Sequence, residues 1–350
     1  MFTRRQAKKI KVGSLYIGGD APISVQSMTS SDTRDIDATV AQIQRLIAAG
    51  CELVRVAVPD KHAAQNLGEI KRQLSIPLVA DIHFDYQLAL IAIEQGIDKL
   101  RLNPGNIKDK KHIATIVSAA KEKLIPIRIG VNGGSLPQEL IAKYQGVNAT
   151  SMVEAALWEI DQFEQLDFTD IIISLKTSDV PTTIASYQLM AEKVSYPFHL
   201  GITEAGPAWR GTVKSSVGIG ILLAQGIGDT IRVSLTGDSV DEIKIGWEIL
   251  KALEIRKRGV NLISCPTCGR CEVDLQQIIT ELEPELDKIT KPVTVAVMGC
   301  VVNGPGEARL ADIGIAAGKD SGVLIRHGEI IRKIPQSEFV STLLAEISKI

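Results

Sequence analysis

The chain has 350 residues, of which 45% are apolar, and a formal net charge of −2 from 39 Lys+Arg against 41 Asp+Glu. That balance gives no case for a nucleic-acid partner, and the apolar content is enough for a substantial core. No apolar run is long enough to span a bilayer, and the basic N-terminal stretch lacks the apolar segment of a signal peptide, so a cytoplasmic protein is expected.

Short β-branched runs alternate with amphipathic helical patterns over about the first 250 positions. Strands are predicted at Val25–Met28, Leu53–Val58, Leu78–His83, Lys99–Leu102, Ile127–Val131, Ile171–Lys176, Phe198–Thr203 and Ile231–Leu235. After the first strand, Ile36, Val40, Ile43 and Ile47 share one helix face, and Gly50 stops that helix. Ile113, Ile116, Val117 and Ala120 line a second face; Val153, Ala156, Leu157, Ile160 and Phe163 line a third. Val240, Ile243, Trp247 and Leu250 mark the last helix of the series. Eight strand–helix units predict a (β/α)8 TIM-type barrel over residues 1–258. The rival is an open doubly wound sheet. For a dinucleotide it would want a Gly-rich turn after its first strand, and no G-x-G-x-x-G opens a helix early in the chain.

From 259 to 350 the pattern changes. A short strand enters a loop at Cys265, a helix covers Leu275–Leu286, and a strand Val293–Met298 leads to a loop at Cys300. Strands near Ile313–Ala316 and Val323–Arg326 and a helix Glu338–Ile347 follow, predicting a small α+β domain.

The barrel strands carry charge where apolar residues are expected. Arg55, Arg101, Arg128 and Arg232 each sit between aliphatic residues, and Lys176 ends Ile-Ile-Ile-Ser-Leu-Lys. An unpaired cation inside a strand covered on both faces is costly. Barrel active sites lie at the carboxyl ends of the strands, where converging cations would form an anion site, and guanidinium forks suit phosphate oxygens. A single such Arg reads most simply as half of a structural ion pair. Four on separate strands plus a lysine, with Asp81 and Glu204 the main acids at strand ends, point instead to a substrate with more than one phosphate.

Polar groups share that address. Asp81 and His83 are two apart, as are Arg232 and Ser234, so each pair is co-facial on its strand. Asn103 follows Arg101, Asn132 follows the fifth strand, and Thr203 and Glu204 end the seventh. A carboxylic acid such as Glu204 can donate a proton to a departing oxygen. His62, His112, His199 and His327 read as solvated or packing residues, Trp158, Trp209 and Trp247 as packing, and Cys51 as a buried thiol.

The other four cysteines fall late: Cys265, Cys268 and Cys271 in Ser-Cys-Pro-Thr-Cys-Gly-Arg-Cys, and Cys300 in Met-Gly-Cys-Val-Val-Asn-Gly-Pro-Gly-Glu. In a reducing compartment such thiols bind metal or do chemistry rather than pair as disulfides. Structural zinc and a four-iron cluster both remain open on the spacing. Zinc ribbons pair two C-x2-C knuckles, whereas Cys300 stands alone; the glycines and proline beside it let backbone approach a bulky inorganic group. A non-redox phosphosugar aldolase or hydrolase with a structural zinc site is the alternative function.

Both cysteine loops, with Val-Gln-Ser-Met-Thr, Ala-Asp-Ile-His-Phe, Arg-Leu-Asn-Pro-Gly-Asn, Arg-Ile-Gly-Val-Asn, Ser-Leu-Lys-Thr-Ser and Gly-Ile-Thr-Glu-Ala-Gly, closely resemble the 4-hydroxy-3-methylbut-2-en-1-yl diphosphate synthase family nearly end to end. The resemblance implies reductive ring opening and dehydroxylation of 2-C-methyl-D-erythritol 2,4-cyclodiphosphate in non-mevalonate isoprenoid biosynthesis. It implies a [4Fe–4S] cluster held by Cys265, Cys268, Cys300 and Glu307, ferredoxin or flavodoxin as electron donor, and a head-to-tail homodimer. Arg55, Arg101, Asn103, Arg128, Asn132, Lys176, Thr203, Arg232 and Ser234 would bind substrate, and Glu204, His83 and Asp81 would serve catalysis. Cys271 departs from the family pattern, either as a spectator or as a competitor of Glu307 for the fourth iron.

Overall fold

The computed structural model describes residues 3–103, 107 and 109–350. Positions 104–106 of the Arg-Leu-Asn-Pro-Gly-Asn motif lie outside the described residues. The chain divides into two compact units, Met1–Arg256 and Lys257–Ile350.

The first unit opens with a hairpin, β1 (Ile10–Val12) and β2 (Leu15–Ile17), that the apolar pattern did not predict. Eight parallel strands follow: β3 (Ser24–Met28), β4 (Leu53–Ala57), β5 (Leu78–Ile82), β6 (Lys99–Leu102), β7 (Ile127–Asn132), β8 (Ile171–Lys176), β9 (His199–Leu200) and β10 (Thr230–Ile231). Their order is β8-β7-β6-β5-β4-β3-β10-β9. A single parallel bridge, Ile173 to Phe198, joins the two ends, so the barrel is nearly closed. Ile10, Val12 and Ile17 of the hairpin pack on Leu53, Val79 and Ile172 at the starts of β4, β5 and β8, plugging the amino-terminal end.

Helices α1 (Ile36–Ala49), α2 (Lys61–Arg72), α3 (Tyr86–Glu94), α4 (Lys110–Lys123), α5 (Gln138–Lys143), α6 (Ala149–Glu164), α7 (Val180–Ala191), α8 (Ala208–Ala224) and α9 (Ser239–Ala252) alternate with these strands, for reasons visible locally. In α1 (Ile36–Ala49) the Asp35 side chain caps the first turn and Gly50 ends the helix in the left-handed region, φ 102°. Helix α9 (Ser239–Ala252) is capped by Asp238, and its Trp247 donates to Gly50 O at 3.0 Å, tying the last helix to the end of α1. The aliphatic residues that alternate with the arginines, such as Leu100, Leu102, Ile127 and Ile129, face this helical layer and share its core. Trp158 and Trp209, read as packing residues, are instead exposed.

The last two barrel strands are shorter than predicted. Beyond Leu200 and Ile231 the ladder gives way to single bonds, Thr203 N–H to Thr177 O (3.3 Å) and Arg232 N–H to Leu200 O (3.0 Å).

The second unit is a five-stranded mixed sheet in the order β11 (Val260–Ser264), β12 (Val293–Met298), β13 (Ile313–Ala317), β14 (Ser321–Arg326), β15 (Glu329–Pro335). The first three strands are parallel and the last two pair antiparallel. Helices α10 (Leu275–Leu286) and α12 (Phe339–Ile347) pack on one core; a five-residue helix α11 (Gly304–Ala308) covers a separate small-residue cluster.

Candidate functional site

Alternation along the strands separates two sets of side chains. Arg55, Asp81, Arg101, Arg128 and Lys176 are all buried, on the side opposite the aliphatic residues that meet the helices. Asp81 is the hub. Its Oδ1 accepts from Arg101 Nη1 at 2.8 Å, and its Oδ2 lies 3.7 Å from Arg55 Nε. Burial raises the Asp81 pKa, but Arg55, His83 and Arg101 outweigh it and hold the carboxyl well below its ordinary range. Arg101 Nη1 also donates to His83 Nε2 at 2.7 Å, so that ring nitrogen acts as an acceptor.

Arg128 donates to Ser174 Oγ and, like Lys176, has no carboxylate partner among the described residues. Burial and neighbouring cations push both well below their ordinary values, and burial brings Arg55 down to about 10. Gly130 of β7 and Gly201, just past the end of β9, make the room. A Cβ on Gly130 would stand 2.8 Å from Arg101 Nε, and one on Gly201 would stand 2.6 Å from Lys176 Nζ. Arg232 reaches Glu242 of α9 at 3.4 Å, and that carboxylate also accepts from Ser27 Oγ (2.9 Å) and Leu235 N–H (3.0 Å).

The remaining candidates sit at or just past strand ends. Asn103 donates to Ser135 Oγ (2.9 Å), which donates to Asn132 O (3.2 Å). Thr203 and Ser234 are half-buried. Glu204 is exposed with φ 52°, and Phe84, next to His83, is exposed with φ 61°. Both occupy the left-handed region that side chains with a Cβ seldom adopt, a form of strain found at functional loops.

Several residues escaped the sequence reading. Glu242 reaches the barrel from a helix, so no strand pattern exposes it. Lys99 and His199, the latter expected to be a solvated or packing residue, are wholly buried and take part in the same electrostatic group. Lys99 was legible in principle, standing two before Arg101 on one strand.

In the second unit, parallel register explains why distant cysteines meet. Ser264 pairs with Val297, so the loops after β11 and β12 leave neighbouring strand ends together. Cys265, Cys268, Cys300 and Glu307 line one cavity of about 330 Å³, with Arg270 and Asn303 beside them. Gly299 N–H donates to Cys265 Sγ at 3.2 Å. Backbone N–H groups of Asn303, Val302 and Gly304 hold the Cys300 thiol below its usual range, toward the thiolate that binds metal. Small residues bring Glu307 to the site: Gly304 lies against Met298 and Ala316, and Gly314 against Ala296 and Ala308, so α11 sits close to the sheet.

Cys271 does not line this cavity. Its thiol donates to Val273 O at 3.3 Å and fills the space where a Gly299 Cβ would stand, 2.4 Å away. Among the described residues no three His, Cys, Asp or Glu side chains close around one ion position. The donors are spread around a cavity, an arrangement suited to a multi-atom inorganic group. Cys51, by contrast, is buried in the barrel unit, and burial pushes its thiol up to about 12.

A nearly closed (β/α)8 barrel with buried cations, followed in the chain by a thiol-lined mixed-sheet domain, defines a particular two-domain class. The GcpE TIM-barrel domain matches residues 7–247 and the GcpE protein C-terminal domain matches residues 261–349. The chain belongs to the GcpE family.

Among curated relatives, the 4-hydroxy-3-methylbut-2-en-1-yl diphosphate synthase (flavodoxin) of Geobacter sulfurreducens is 58% identical over 347 residues, covering 99% of this chain and 98% of its own. The protein of the same name from Ruminiclostridium cellulolyticum is 57% identical over 346 residues, covering 99% and 98%. The barrel fold alone is shared with dihydropteroate synthase of Stenotrophomonas maltophilia (TM-score 0.53, 11% identity, 71% of this chain and 98% of that one).

Proposed function

We propose that this protein converts 2-C-methyl-D-erythritol 2,4-cyclodiphosphate to 4-hydroxy-3-methylbut-2-en-1-yl diphosphate, a reductive ring opening with loss of a hydroxyl as water, in isoprenoid biosynthesis. The observation that carries this reading is the pairing, in one chain, of a barrel that buries cations in excess of its carboxylates with a cavity lined by three cysteines and a glutamate. Near-full-length relatives of that name at 58% and 57% identity support it.

Arg55, Arg101, Arg128, Lys176 and Arg232 bind the two phosphates, with Ser234 adding a hydroxyl donor. Arg128 and Lys176 carry most of this work, because no carboxylate in the described residues engages them. The depressed values that burial imposes on them are relieved when an anion arrives. Asp81 fixes the Arg55 and Arg101 guanidiniums and, through Arg101, orients His83. Asn103, Asn132, Thr203 and His83 position the ring and its hydroxyls. Glu204, exposed on its strained turn, is the proton donor to the leaving hydroxyl.

Cys265, Cys268, Cys300 and Glu307 would hold a [4Fe–4S] cluster. That group, when bound, supplies electrons singly and offers an iron with an exchangeable ligand as Lewis acid. Glu307 suits the exchangeable position because a carboxylate is a hard ligand beside three thiolates. Cys271 is a spectator, its thiol turned to Val273 O and off the cavity. The electrons come from flavodoxin, the donor in the relatives' names. The active form is a homodimer, which sedimentation of the purified protein checks.

Iron and sulfide analysis with EPR of anaerobically purified protein tests the redox assignment. About four irons per chain and a reducible cluster signal are expected. A colourless, air-stable, zinc-containing protein would instead identify a non-redox barrel enzyme.

A further inference from the structure

Two wholly buried titratable side chains of the barrel interior, Lys99 and His199, have no part in the substrate binding proposed for this barrel. Lys99 opens β6 on the same face as Arg101, is wholly buried, and reaches Gln26 Oε1 of β3 at 3.4 Å. His199, the first residue of β9, is equally buried, and neither of its ring nitrogens has a hydrogen-bond partner among the described residues. Gln26 Nε2 and the Nε and Nη2 of Arg128 are also buried without hydrogen-bond partners among the described residues.

The charged groups acting on Lys99 are Arg55 from β4 and Arg128 from β7. Those acting on His199 are Lys176 from β8, Arg128, Lys99 and Arg55. The nearby carboxylates are already engaged: Asp81 by Arg55 and Arg101, Glu242 by Arg232. So many cations in one water-poor space disfavour one another's charge, and burial adds to the effect. Burial and the neighbouring cations accordingly depress both Lys99 and His199 well below their ordinary values.

We propose that Lys99 and His199 form a proton-accepting pair beside the anion site, so that binding of the cyclic diphosphate draws a proton from solvent into the barrel. This rests on the diphosphate reading. An anion held by Arg128 and Lys176 offsets the repulsion that depresses this pair. The proton ends on Lys99 Nζ or a ring nitrogen of His199, and no substrate bond is made or broken. Both are positioning residues, acting through Arg128 and Lys176. Each phosphorus of the cyclic diphosphate carries one ester and one bridging anhydride oxygen, leaving a single strongly acidic oxygen with no proton that titrates near neutrality, so the uptake belongs to the protein.

The sign follows from linkage. Both groups are depressed from their ordinary values in the free protein and rise in the complex. Affinity is therefore greatest at low pH and falls as pH rises between the two values, by up to about tenfold per pH unit for each linked proton. Titration calorimetry of the anaerobic holoenzyme with the cyclic diphosphate, in buffers of different ionisation enthalpy at about pH 8, reads the uptake directly. Net uptake on the order of one proton per site is expected, reduced in Lys99→Met and in His199→Gln, with a flatter pH dependence of Kd in each. A purely structural role would weaken binding in the variants without flattening that dependence. Binding by the unmodified enzyme without proton uptake, or uptake unchanged in both variants, overturns the inference and leaves the diphosphate reading intact. Failure to bind the cyclic diphosphate at all overturns both.

Discussion

Asp81 joins two arginines and, through one of them, a histidine, with one buried carboxylate. Removing its charge leaves Arg55 and Arg101 in a low-dielectric space without compensation. Asp81→Asn is expected to lower stability by about 3–5 kcal/mol, read by denaturant unfolding. Because the folded-state pKa is depressed, the contribution of Asp81 is fully present above its unfolded value near about 3.9 and is lost as pH falls below it. The variant should therefore lose less stability than the parent on acidification below about pH 4. Gly130 acts in the opposite way, by what it lacks. A methyl there meets Arg101 Nε at 2.8 Å and displaces a side chain rather than backbone. Gly130→Ala should keep the fold and raise KM by about tenfold, about 1.4 kcal/mol of lost binding, with kcat less affected. Arg55, Arg101 and Arg128 were legible as anomalies in apolar strands. Gly130 was not, because its meaning depends on a guanidinium arriving from the neighbouring strand.

At the scale of elements, strand ends do the assembling. Parallel pairing of β11 with β12 brings Cys265 and Cys300 to one cavity although 34 residues separate Cys265 from Gly299, whose N–H bonds its sulfur. Helix α11 carries Glu307 there because Gly314 and the alanines beneath it let the helix sit low. Gly314→Val would lift α11, so iron and sulfide per chain should fall at least several-fold on anaerobic reconstitution while the barrel keeps its fold. Normal cluster loading in this variant would show that Glu307 does not depend on that close packing. The motif around Cys300 announced a close backbone approach, yet which surface would be approached depended on the sheet order.

For the whole molecule, the cores are separate. One aliphatic core fills the barrel unit from β3 to α9, and another joins α10 and α12 to the mixed sheet. Stripping iron with a chelator should therefore lower the melting transition of the Lys257–Ile350 unit alone, leaving the barrel transition within about 2 °C, as differential scanning calorimetry would resolve. A parallel fall in both transitions would mean that the two units unfold as one.

The eight-unit barrel, the change of pattern near residue 258, the arginines in apolar strands and both cysteine loops follow from the sequence alone. They are local facts: alternation of two, periodicity of 3.6, and residue types at odds with their surroundings. Tertiary structure decided the rest. It turned Cys271 away from the cavity, brought Glu242 from a helix to Arg232, and buried Lys99 and His199 close to Arg128. Those outcomes depend on strand register and on which side chains fill one interior. A linear pattern carries neither, because burial, and with it the cost of a charge, is a property of neighbours brought together by folding.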